Sequence, residues 1–399
     1  MADSPARSPN TGHLIDAATL GEVRALLLLW FARSARDLPW RRTSDPYAVW
    51  VSESMLQQTR VETVIPYYLR WMAAFPTLEA LASAPEEQVL HHWQGLGYYS
   101  RARRLLAGAR AVLRDHRGRV PADVAQLMTL PGVGRYTAGA IASIAFDLPA
   151  PIVDGNVARV LTRLYAWPQP LGASQTQGLL WELAEAYATG PTPGLANQAL
   201  MELGALVCTP RAPRCEGCPL RGQCRALGQG LAVEGFPVSA SKKPSPTEDA
   251  WAFAIVRRTG APRASVADAQ TSSGDGDCEV LWARRPPEGR FGGLWELPAL
   301  PRSGDEPRKA LSALWPAATE LGLEVRTAVS HVLTHRRLRT TPVVAHVPRG
   351  QQVPAAWPPY VQLAWVPMEG PFPPLSSWSR KVWMGCGLPS DRDPTEQAP

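Results

Sequence analysis

Two acidic side chains, Glu53 and Asp154, lie in contexts that predict acid–base chemistry. Glu53 is an acid on an otherwise apolar helical face, where burial would raise the pKa of its carboxyl group and let it donate a proton near neutral pH. A glutamate that packs its stem and exposes its carboxylate is the simpler alternative. Asp154 precedes Gly155 and Asn156 at the start of a predicted helix, where backbone N–H groups would cap the carboxylate and keep it ionised. Such a carboxylate could stabilise positive charge on a sugar, or serve only as a helix cap.

Four cysteines fall within seventeen residues, at Cys208, Cys215, Cys218 and Cys224, with six, two and five residues between them. This density predicts a metal or cluster site in a reducing cytoplasm rather than disulfide bonds. Four thiolates can hold either a zinc ion or a [4Fe–4S] cluster. Zinc sites usually contain two C-x-x-C pairs, and only one is present here, so the spacing favours iron–sulfur and leaves zinc open.

The composition is compatible with a nucleic-acid partner. The chain has 399 residues, a net charge of +6 and a pI of about 9.1. This length suffices for two domains, each with its own core, and the positive charge suits a polyanion. The polar first residues do not resemble a signal peptide, and the apolar run at 26–31 is too short to span a membrane. We therefore expect a cytoplasmic protein without membrane contact.

A stretch at 127–156 is predicted to organise the residues around it. In this stretch a helix leads into a tight turn at 131–134, and a second helix runs from 135 to about 146. We expect Gly132 and Gly134 to adopt backbone angles that a side chain would penalise. The second helix would begin with free N–H groups facing outward, which is an arrangement that binds phosphate.

Hydrophobic periodicity divides the chain into two parts of different class. Amphipathic helices follow one another from residue 17 to about 207, and no convincing strand occurs before residue 230. We expect a mostly α domain at 14–230 that ends in the cysteine loop 208–224, a linker at 231–249, and an α+β domain at 250–388. In the second domain we predict strands at 251–257, 279–284 and 341–347, and a helix at 307–321.

Several segments occur together in the first domain, namely LPGVGRYTAGAI followed by VDGN, SESMLQQTRVETVIPYY, GLGYYSRARRL and C-x6-C-x2-C-x5-C. In combination they resemble the MutY-type adenine DNA glycosylases, which belong to the helix-hairpin-helix superfamily with endonuclease III. The resemblance is close over residues 17–230 and looser beyond them. It implies an enzyme that flips adenine out of duplex DNA and removes it opposite 8-oxoguanine or guanine. It also implies a [4Fe–4S] cluster on the four cysteines, a monomer, and association with the bacterial nucleoid.

The resemblance assigns catalytic roles to four residues. Glu53 matches the general acid that protonates adenine at N7. Asp154 matches the carboxylate that stabilises the oxocarbenium-like sugar and guides water, or bonds to the sugar transiently. Tyr136 and Asn156 match groups that assist at the sugar. Breaking an N-glycosidic bond needs one acid that donates a proton and one carboxylate that stays ionised, as in glycoside hydrolysis, so these assignments are chemically consistent.

The resemblance also implies a set of binding residues. Gln58 matches the wedge residue that enters the opened duplex, and Tyr98 matches the residue that intercalates beside 8-oxoguanine. The residues that match the adenine pocket are Trp40, Arg41, Leu56 and Glu202. Without the resemblance, Gln58 and Tyr98 would be ordinary surface and core residues. Glu202 lies within the apolar helical segment ALMELGALV and could instead be a structural partner for an arginine.

The residue after the hairpin bears on the type of reaction. Lyase-competent relatives have a lysine immediately after GVGR, and this lysine forms a Schiff base with the sugar. Here the position is Tyr136, and residues 1–230 contain no lysine. The sequence therefore predicts a monofunctional glycosylase. The alternative is an endonuclease III-like glycosylase and lyase for oxidised pyrimidines, which Tyr136 and the second domain both disfavour.

The second domain resembles the MutT-like, Nudix-fold domain with which MutY enzymes recognise 8-oxoguanine, most clearly in FGGLWELP at 291–298. A Nudix hydrolase holds magnesium on an R-E-x-x-E-E helix, and the corresponding RKALSALWPAATELG lacks this cluster, so no pyrophosphohydrolase activity is expected. MutY enzymes typically carry H-x-F-S-H, where this chain reads HVLTH at 331–335. Thr334 and His335 could still form hydrogen bonds to the damaged base, whereas Leu333 lacks the aromatic ring.

Overall fold

The structure is a computed structural model, and it describes residues 17–238, 245–259, 278–302, 304, 306–333, 336–348, 350–368 and 371–388. The chain divides into two compact units. The first contains the described residues of 17–92 and 101–238, and the second contains 93–100 together with the described residues from 245 onward. In the second unit, the Tyr99 hydroxyl donates a hydrogen bond of 3.0 Å to the carbonyl oxygen of Leu375. The domain limits given above stay a prediction.

The first unit is helical, as the sequence predicts. Between residues 17 and 238 no β-strand occurs beyond one isolated bridge at Pro170 and Val238. The helices, numbered in chain order, are Ala17–Ser34 (α1), Pro46–Leu56 (α2), Val61–Ala74 (α3), Leu78–Ser83 (α4), Glu86–Trp93 (α5), Ser100–Asp115 (α6), Val124–Met128 (α7), Arg135–Ala140 (α8), Gly155–Leu164 (α9), Ser174–Ala188 (α10), Pro193–Leu206 (α11) and Arg225–Gly228 (α12). None of the described helices is long and apolar enough to cross a membrane.

Helix α2 is enclosed by other helices, and this enclosure brings an acid into the interior. Its residues from Tyr47 to Met55 are all buried. Trp50 packs onto Gly108 of α6, where an added Cβ atom would lie 2.5 Å from the indole ring. A neighbouring core is formed by side chains of α1, α9, α10 and α11, among them Leu27, Leu161, Leu183 and Leu200.

The helix predicted at 135–146 consists of two parts. Its α-helical part ends at Ala140, and Ile141–Ala145 form a turn of π-helix. Helix α11 lies close against this turn. A Cβ atom added to Gly194 of α11 would lie 2.3 Å from the carbonyl oxygen of Ser143. Turns of π-helix are common beside functional sites. Here the turn places Ile144 in the lining of the cavity described below.

The second unit is built on an eight-stranded sheet in the described residues. The strands are Thr247–Arg258 (β1), Cys278–Arg284 (β2), Trp295–Glu296 (β3), Ala299–Pro301 (β4), Leu323–Val325 (β5), Val329–Val332 (β6), Arg337–Val347 (β7) and Gln362–Pro367 (β8). The central order is β3-β2-β1-β7-β5, with β4 paired to β1, β6 to β7 and β8 to β2. Strands β1 and β7 run parallel, with Trp251 opposite Thr341, and the other pairs are antiparallel.

Both faces of this sheet are covered. Alternate side chains of β1 enter different cores, because successive side chains of a strand point to opposite faces. Pro307–Leu314 (α13) contributes Leu311 to one core, and Ser377–Gly385 (α14) contributes Trp378 to the other. The α+β class is therefore confirmed. The helix predicted at 307–321 ends earlier, at Leu314, since a separate 3-10 helix begins at Pro316, a residue that interrupts the helical hydrogen bonds.

Candidate active site

Glu53 and Tyr136 meet inside the first unit. Glu53 comes from α2 and is only 5% exposed, and Tyr136 comes from α8, directly after the hairpin. The tyrosine hydroxyl donates a hydrogen bond of 2.6 Å to Oε2 of Glu53. Burial raises the pKa of the Glu53 carboxyl to about 7, although this hydrogen bond acts to lower it. The raised pKa favours the protonated form of this carboxyl near neutral pH.

Asp154 is the N-cap of α9. Its Oδ1 accepts a hydrogen bond of 2.7 Å from the backbone N–H of Val157, and its Oδ2 accepts one of 2.8 Å from the amide of Asn156. Burial raises the pKa of the Asp154 carboxyl, and both hydrogen bonds oppose that rise. Because the two donors favour the charged form, the local structure supports a carboxylate in a buried place.

A single cavity of about 380 Å³ brings the candidate residues of the first unit together. It lies between α2, α8 with the π turn that follows it, the start of α9, and α11. The residues singled out from the sequence that line it are Glu53, Tyr136, Asp154, Asn156, Trp40, Arg41, Leu56 and Glu202. The volume is within the range of sites that enclose a small ligand or one part of a larger one.

Glu202 forms the charged wall of this cavity. The side chain is 1% exposed, and it accepts hydrogen bonds from the guanidinium groups of Arg36 and Arg41, each of which contacts both carboxylate oxygens at 2.7 to 3.1 Å. Burial would raise the pKa of Glu202, but the two arginines outweigh it and hold the pKa at about 2. Arg36 was not anticipated from the sequence, because nothing in its spacing relates it to a residue 166 positions away.

The two hairpin glycines differ in their conformations. Gly132 has φ +82°, and an added Cβ atom would lie 2.5 Å from Cβ of Arg104. Gly134 has φ −91° and is the extended N-cap of α8, with open space where a side chain would stand. The expectation that both glycines need angles forbidden to other residues is thus wrong for Gly134. The open space at Gly134 leaves the first N–H groups of α8 approachable.

The four cysteines of the loop 208–224 line one small cavity, together with half-buried apolar side chains, Arg163 and Arg221. Among the described residues, no three histidine, cysteine, aspartate or glutamate side chains stand close enough to share a single metal ion. Four thiols around one space are a donor set that suits either a zinc ion or a [4Fe–4S] cluster.

Arg159 of α9 connects the cysteine loop with Asp154, and Arg163 of the same helix contacts a cysteine of that loop. Arg159 donates to Oδ1 of Asn156 at 2.8 Å and to the carbonyl oxygen of Cys208 at 2.7 Å, while Asn156 in turn holds Asp154. Arg163 donates to Sγ of Cys208 at 3.3 Å. Neither arginine was anticipated from the sequence. Their spacing from Asn156, at i+3 and i+7 of one helix, is the signal that places the three side chains on one face.

Comparisons with known proteins identify the family. Residues 51–186 match the HhH-GPD superfamily of base excision DNA repair proteins, and residues 273–382 match the NUDIX domain. An adenine DNA glycosylase of Schizosaccharomyces pombe is 35% identical over an alignment of 317 residues, and the match covers 69% of this chain and 69% of that one. This chain belongs to the adenine DNA glycosylase family. Relatives of the same description in Rattus norvegicus and Homo sapiens are 43% and 41% identical, and the chain spans 65% and 62% of them, less than two thirds.

Other candidate residues of this family member lie outside the cavity. Gln58 stands in the turn after α2 with φ 58°. Tyr98 belongs to the second unit, has φ 48° and is 50% exposed. A left-handed conformation is uncommon for residues other than glycine. Both residues are therefore displayed at unusual backbone positions.

The HVLTH segment is described only in part. Thr334 and His335 lie outside the described residues. Leu333 packs against the apolar cluster beside α14, and the imidazole of His331 lies 5.6 Å from the Trp378 ring centre. Leu333 therefore has a packing role in the second unit. Helix α13 carries no acidic residue, and the absence of a magnesium-dependent pyrophosphohydrolase site there stays an expectation.

Proposed function

We propose that this protein is a monofunctional adenine DNA glycosylase of base excision repair. Its proposed substrate is duplex DNA in which adenine is paired with 8-oxoguanine or guanine, and it acts on chromosomal DNA as a monomer. The observation that carries the proposal is the cavity of about 380 Å³ that Glu53 and Asp154 both line. With a pKa of about 7, Glu53 can donate a proton under the conditions in which a hydrogen-bonded Asp154 is a carboxylate.

The proposed reaction needs charge control at both ends of the N-glycosidic bond. Glu53 donates its proton to N7 of adenine, and the bond between N9 and C1′ breaks with its electron pair on the base. The carboxylate of Asp154 stabilises the positive sugar and orients a water molecule. The water oxygen bonds to C1′ and releases a proton to a carboxylate, so that adenine and an abasic site are the products.

The neighbouring side chains support this division of labour. Tyr136 holds the Glu53 carboxyl through its hydrogen bond, and Asn156 holds Asp154. Tyr136 also occupies the place of the lysine that lyases use, and a phenol cannot form a Schiff base with the sugar. The DNA strand would therefore stay intact after the base has left.

Adenine would be bound by the remaining walls of the cavity. Trp40 and Leu56 offer apolar surface, and the Glu202 carboxylate offers a polar edge that Arg36 and Arg41 fix in place. Since the cavity is inside the protein, the base must leave the helical stack to reach it.

Duplex contacts are proposed for residues outside the cavity. Gln58 would enter the gap left by the adenine, and Tyr98 would stack beside 8-oxoguanine. The hairpin of Gly132 and Gly134 would present the N-terminus of α8 to a phosphate. In the second unit, Thr334 and His335 would form hydrogen bonds to the damaged base.

A [4Fe–4S] cluster is proposed on Cys208, Cys215, Cys218 and Cys224. The donor set of four thiols around one cavity fits it, and the nearby Arg163 guanidinium offsets the negative charge of four thiolates. When bound, the cluster would supply a rigid support for the 208–224 loop and take no part in hydrolysis. Arginines of this loop would then contact the DNA backbone.

The proposal is tested by incubating the protein with three labelled duplexes, carrying A opposite 8-oxoguanine, A opposite guanine, and thymine glycol. We expect adenine release from the first two and strand cleavage only after alkali. Cleavage without alkali, or trapping of the protein on DNA by borohydride, would indicate a lyase. Activity on thymine glycol alone would overturn the proposal in favour of the oxidised-pyrimidine enzyme.

A further inference from the structure

The C-terminal end of α2 is held by a side chain from another helix. Helix α2 ends at Leu56, and the last carbonyl groups of a helix lack partners within it. The chain then turns through Gln57, which has ψ 110°, and Gln58, which has φ 58°. A turn of this kind leaves several carbonyl oxygens to be satisfied from outside.

Arg101 of α6 supplies these missing hydrogen bonds. Its guanidinium is buried, and Nη1 donates to the carbonyl oxygens of Ser54, Met55 and Gln57 at 2.8, 2.9 and 2.6 Å. Its Nη2 donates to Oγ1 of Thr59 at 3.2 Å. A positive charge at the C-terminus of a helix also interacts favourably with the helix dipole.

The backbone groups that Arg101 binds lie close in sequence to two residues of the proposed site, Glu53 in the cavity and Gln58 outside it. Glu53 immediately precedes Ser54 on α2, and Gln58 lies between Gln57 and Thr59. The amide of Gln57 also donates to Oγ1 of Thr137 at 3.4 Å, which joins the turn to the hairpin helix α8. A shift of this turn would therefore displace the acid-bearing end of α2 and the exposed Gln58 together.

We infer that Arg101 is a positioning residue, which holds Glu53 and Gln58 in the one arrangement that extrudes the base and then protonates it. Arg101 does this through backbone carbonyl groups and does not itself contact the substrate. This inference rests on the proposed glycosylase function. It predicts that loss of the guanidinium weakens base extrusion and proton donation while leaving contacts to the DNA backbone in place.

The test compares Arg101→Gln and Arg101→Lys with Arg110→Gln. Arg110 lies on the same helix and also donates to two backbone carbonyl oxygens, those of Ala82 and Ala84, but it lines no part of the cavity. Single-turnover adenine release, affinity for a duplex with an abasic analogue, and thermal unfolding are measured for each variant. Extrusion is followed separately by the fluorescence of 2-aminopurine at the target position, with Glu53→Gln added to prevent cleavage.

We expect Arg101→Gln to slow adenine release about 100-fold, the loss that a misplacement of about 1 Å can cause, with duplex affinity changed less than about threefold. The 2-aminopurine signal should fall in parallel. Arg101→Lys should recover part of the rate, because an ammonium group keeps three donors but lacks the planar fork. Arg110→Gln should behave like the original protein in all these measurements.

Three results would overturn the inference. One is an Arg101→Gln rate within about threefold of Arg110→Gln. Another is a slow Arg101→Gln whose 2-aminopurine signal is unchanged, and the third is a slow variant with no recovery by lysine and an equal loss of folded protein. Failure of the unmodified protein to release adenine from any duplex would instead refute the proposed function, so the two failures are distinguishable.

Discussion

The hydroxyl of Tyr136 lies 2.6 Å from Oε2 of Glu53, so the residue that stands in the lyase-lysine position is bonded to the candidate general acid. One side chain thus has two consequences. It puts a phenol where the resemblance places the lyase amine, and it holds the carboxyl group that is proposed to donate a proton. Burial and the neighbouring Glu53 carboxylate raise the pKa of Tyr136 well above its usual value, so the phenol is a hydrogen-bond donor to Glu53 near neutral pH.

The pKa of Glu53 predicts a pH dependence of catalysis. Because the carboxyl must be protonated to act and its pKa is about 7, the single-turnover rate should fall as the pH rises above about 7. Glu53→Gln should reduce adenine release at least about 100-fold at every pH while preserving duplex binding. Glu86→Gln, an acid of α5 that does not line the cavity, is the control. Loss of binding in parallel with loss of rate would assign Glu53 a structural role.

The same raised pKa predicts a change in stability of known sign. A carboxyl whose pKa is raised in the folded state is stabilising in its neutral form below its unfolded pKa, and this contribution is lost as the pH rises through the folded value. Glu53→Gln should therefore gain stability relative to the original protein on going from about pH 5 to pH 9, by about 2.5 kcal/mol. Chemical unfolding at the two pH values measures this gain. A difference that stays constant with pH would show that Glu53 is not buried as a neutral acid.

Tyr136→Phe should move the alkaline limb of the rate profile. The tyrosine hydrogen bond lowers the pKa of Glu53, so its removal should raise that pKa further and shift the limb to higher pH. The plateau rate should fall by no more than about tenfold, the equivalent of one hydrogen bond. Tyr165→Phe is the matched control, because the Tyr165 hydroxyl is paired at 2.9 Å with that of Tyr187 in a core away from the cavity. A limb that moves to lower pH would contradict the assignment.

Some residues of the candidate site can be recognised in the sequence, and others become relevant only through packing. Local patterns mark Glu53 and Asp154 as candidates, namely an acid in an apolar helix and a cap before a helix, whereas Tyr136 becomes a candidate only through the family resemblance. Arg36 and Arg101 were not identifiable, because each acts on groups that are distant in the sequence and becomes relevant only through packing. The helix class was predictable from periodicity, whereas no periodicity marks the π turn at Ile141–Ala145, which lies against α11 in the fold.

Glu202→Gln should destabilise the fold as well as the adenine pocket. The carboxylate is almost fully buried and neutralises Arg36 and Arg41, so its removal leaves two partly buried guanidinium groups without their anion. We expect a loss of about 3 kcal/mol at pH 7, measured by chemical unfolding. Because the pKa of Glu202 is lowered to about 2, this stability is present above about pH 4.5 and is lost as the pH falls towards 2. Glu185→Gln on the exposed side of α10 should change stability by less than about 0.5 kcal/mol.

Alanine substitutions at the two hairpin glycines should have different effects, one on stability and the other on duplex binding. Gly132→Ala places a side chain at φ +82° and against Cβ of Arg104, and both effects should together cost about 2 to 3 kcal/mol of stability. Gly134→Ala meets neither obstacle, so its stability should change by less than about 0.5 kcal/mol. If phosphate approaches the N-terminus of α8 through this open space, however, Gly134→Ala should weaken duplex binding although the protein remains folded. Thermal unfolding and binding to a duplex with an abasic analogue measure the two effects, and unchanged binding by Gly134→Ala would place the phosphate elsewhere.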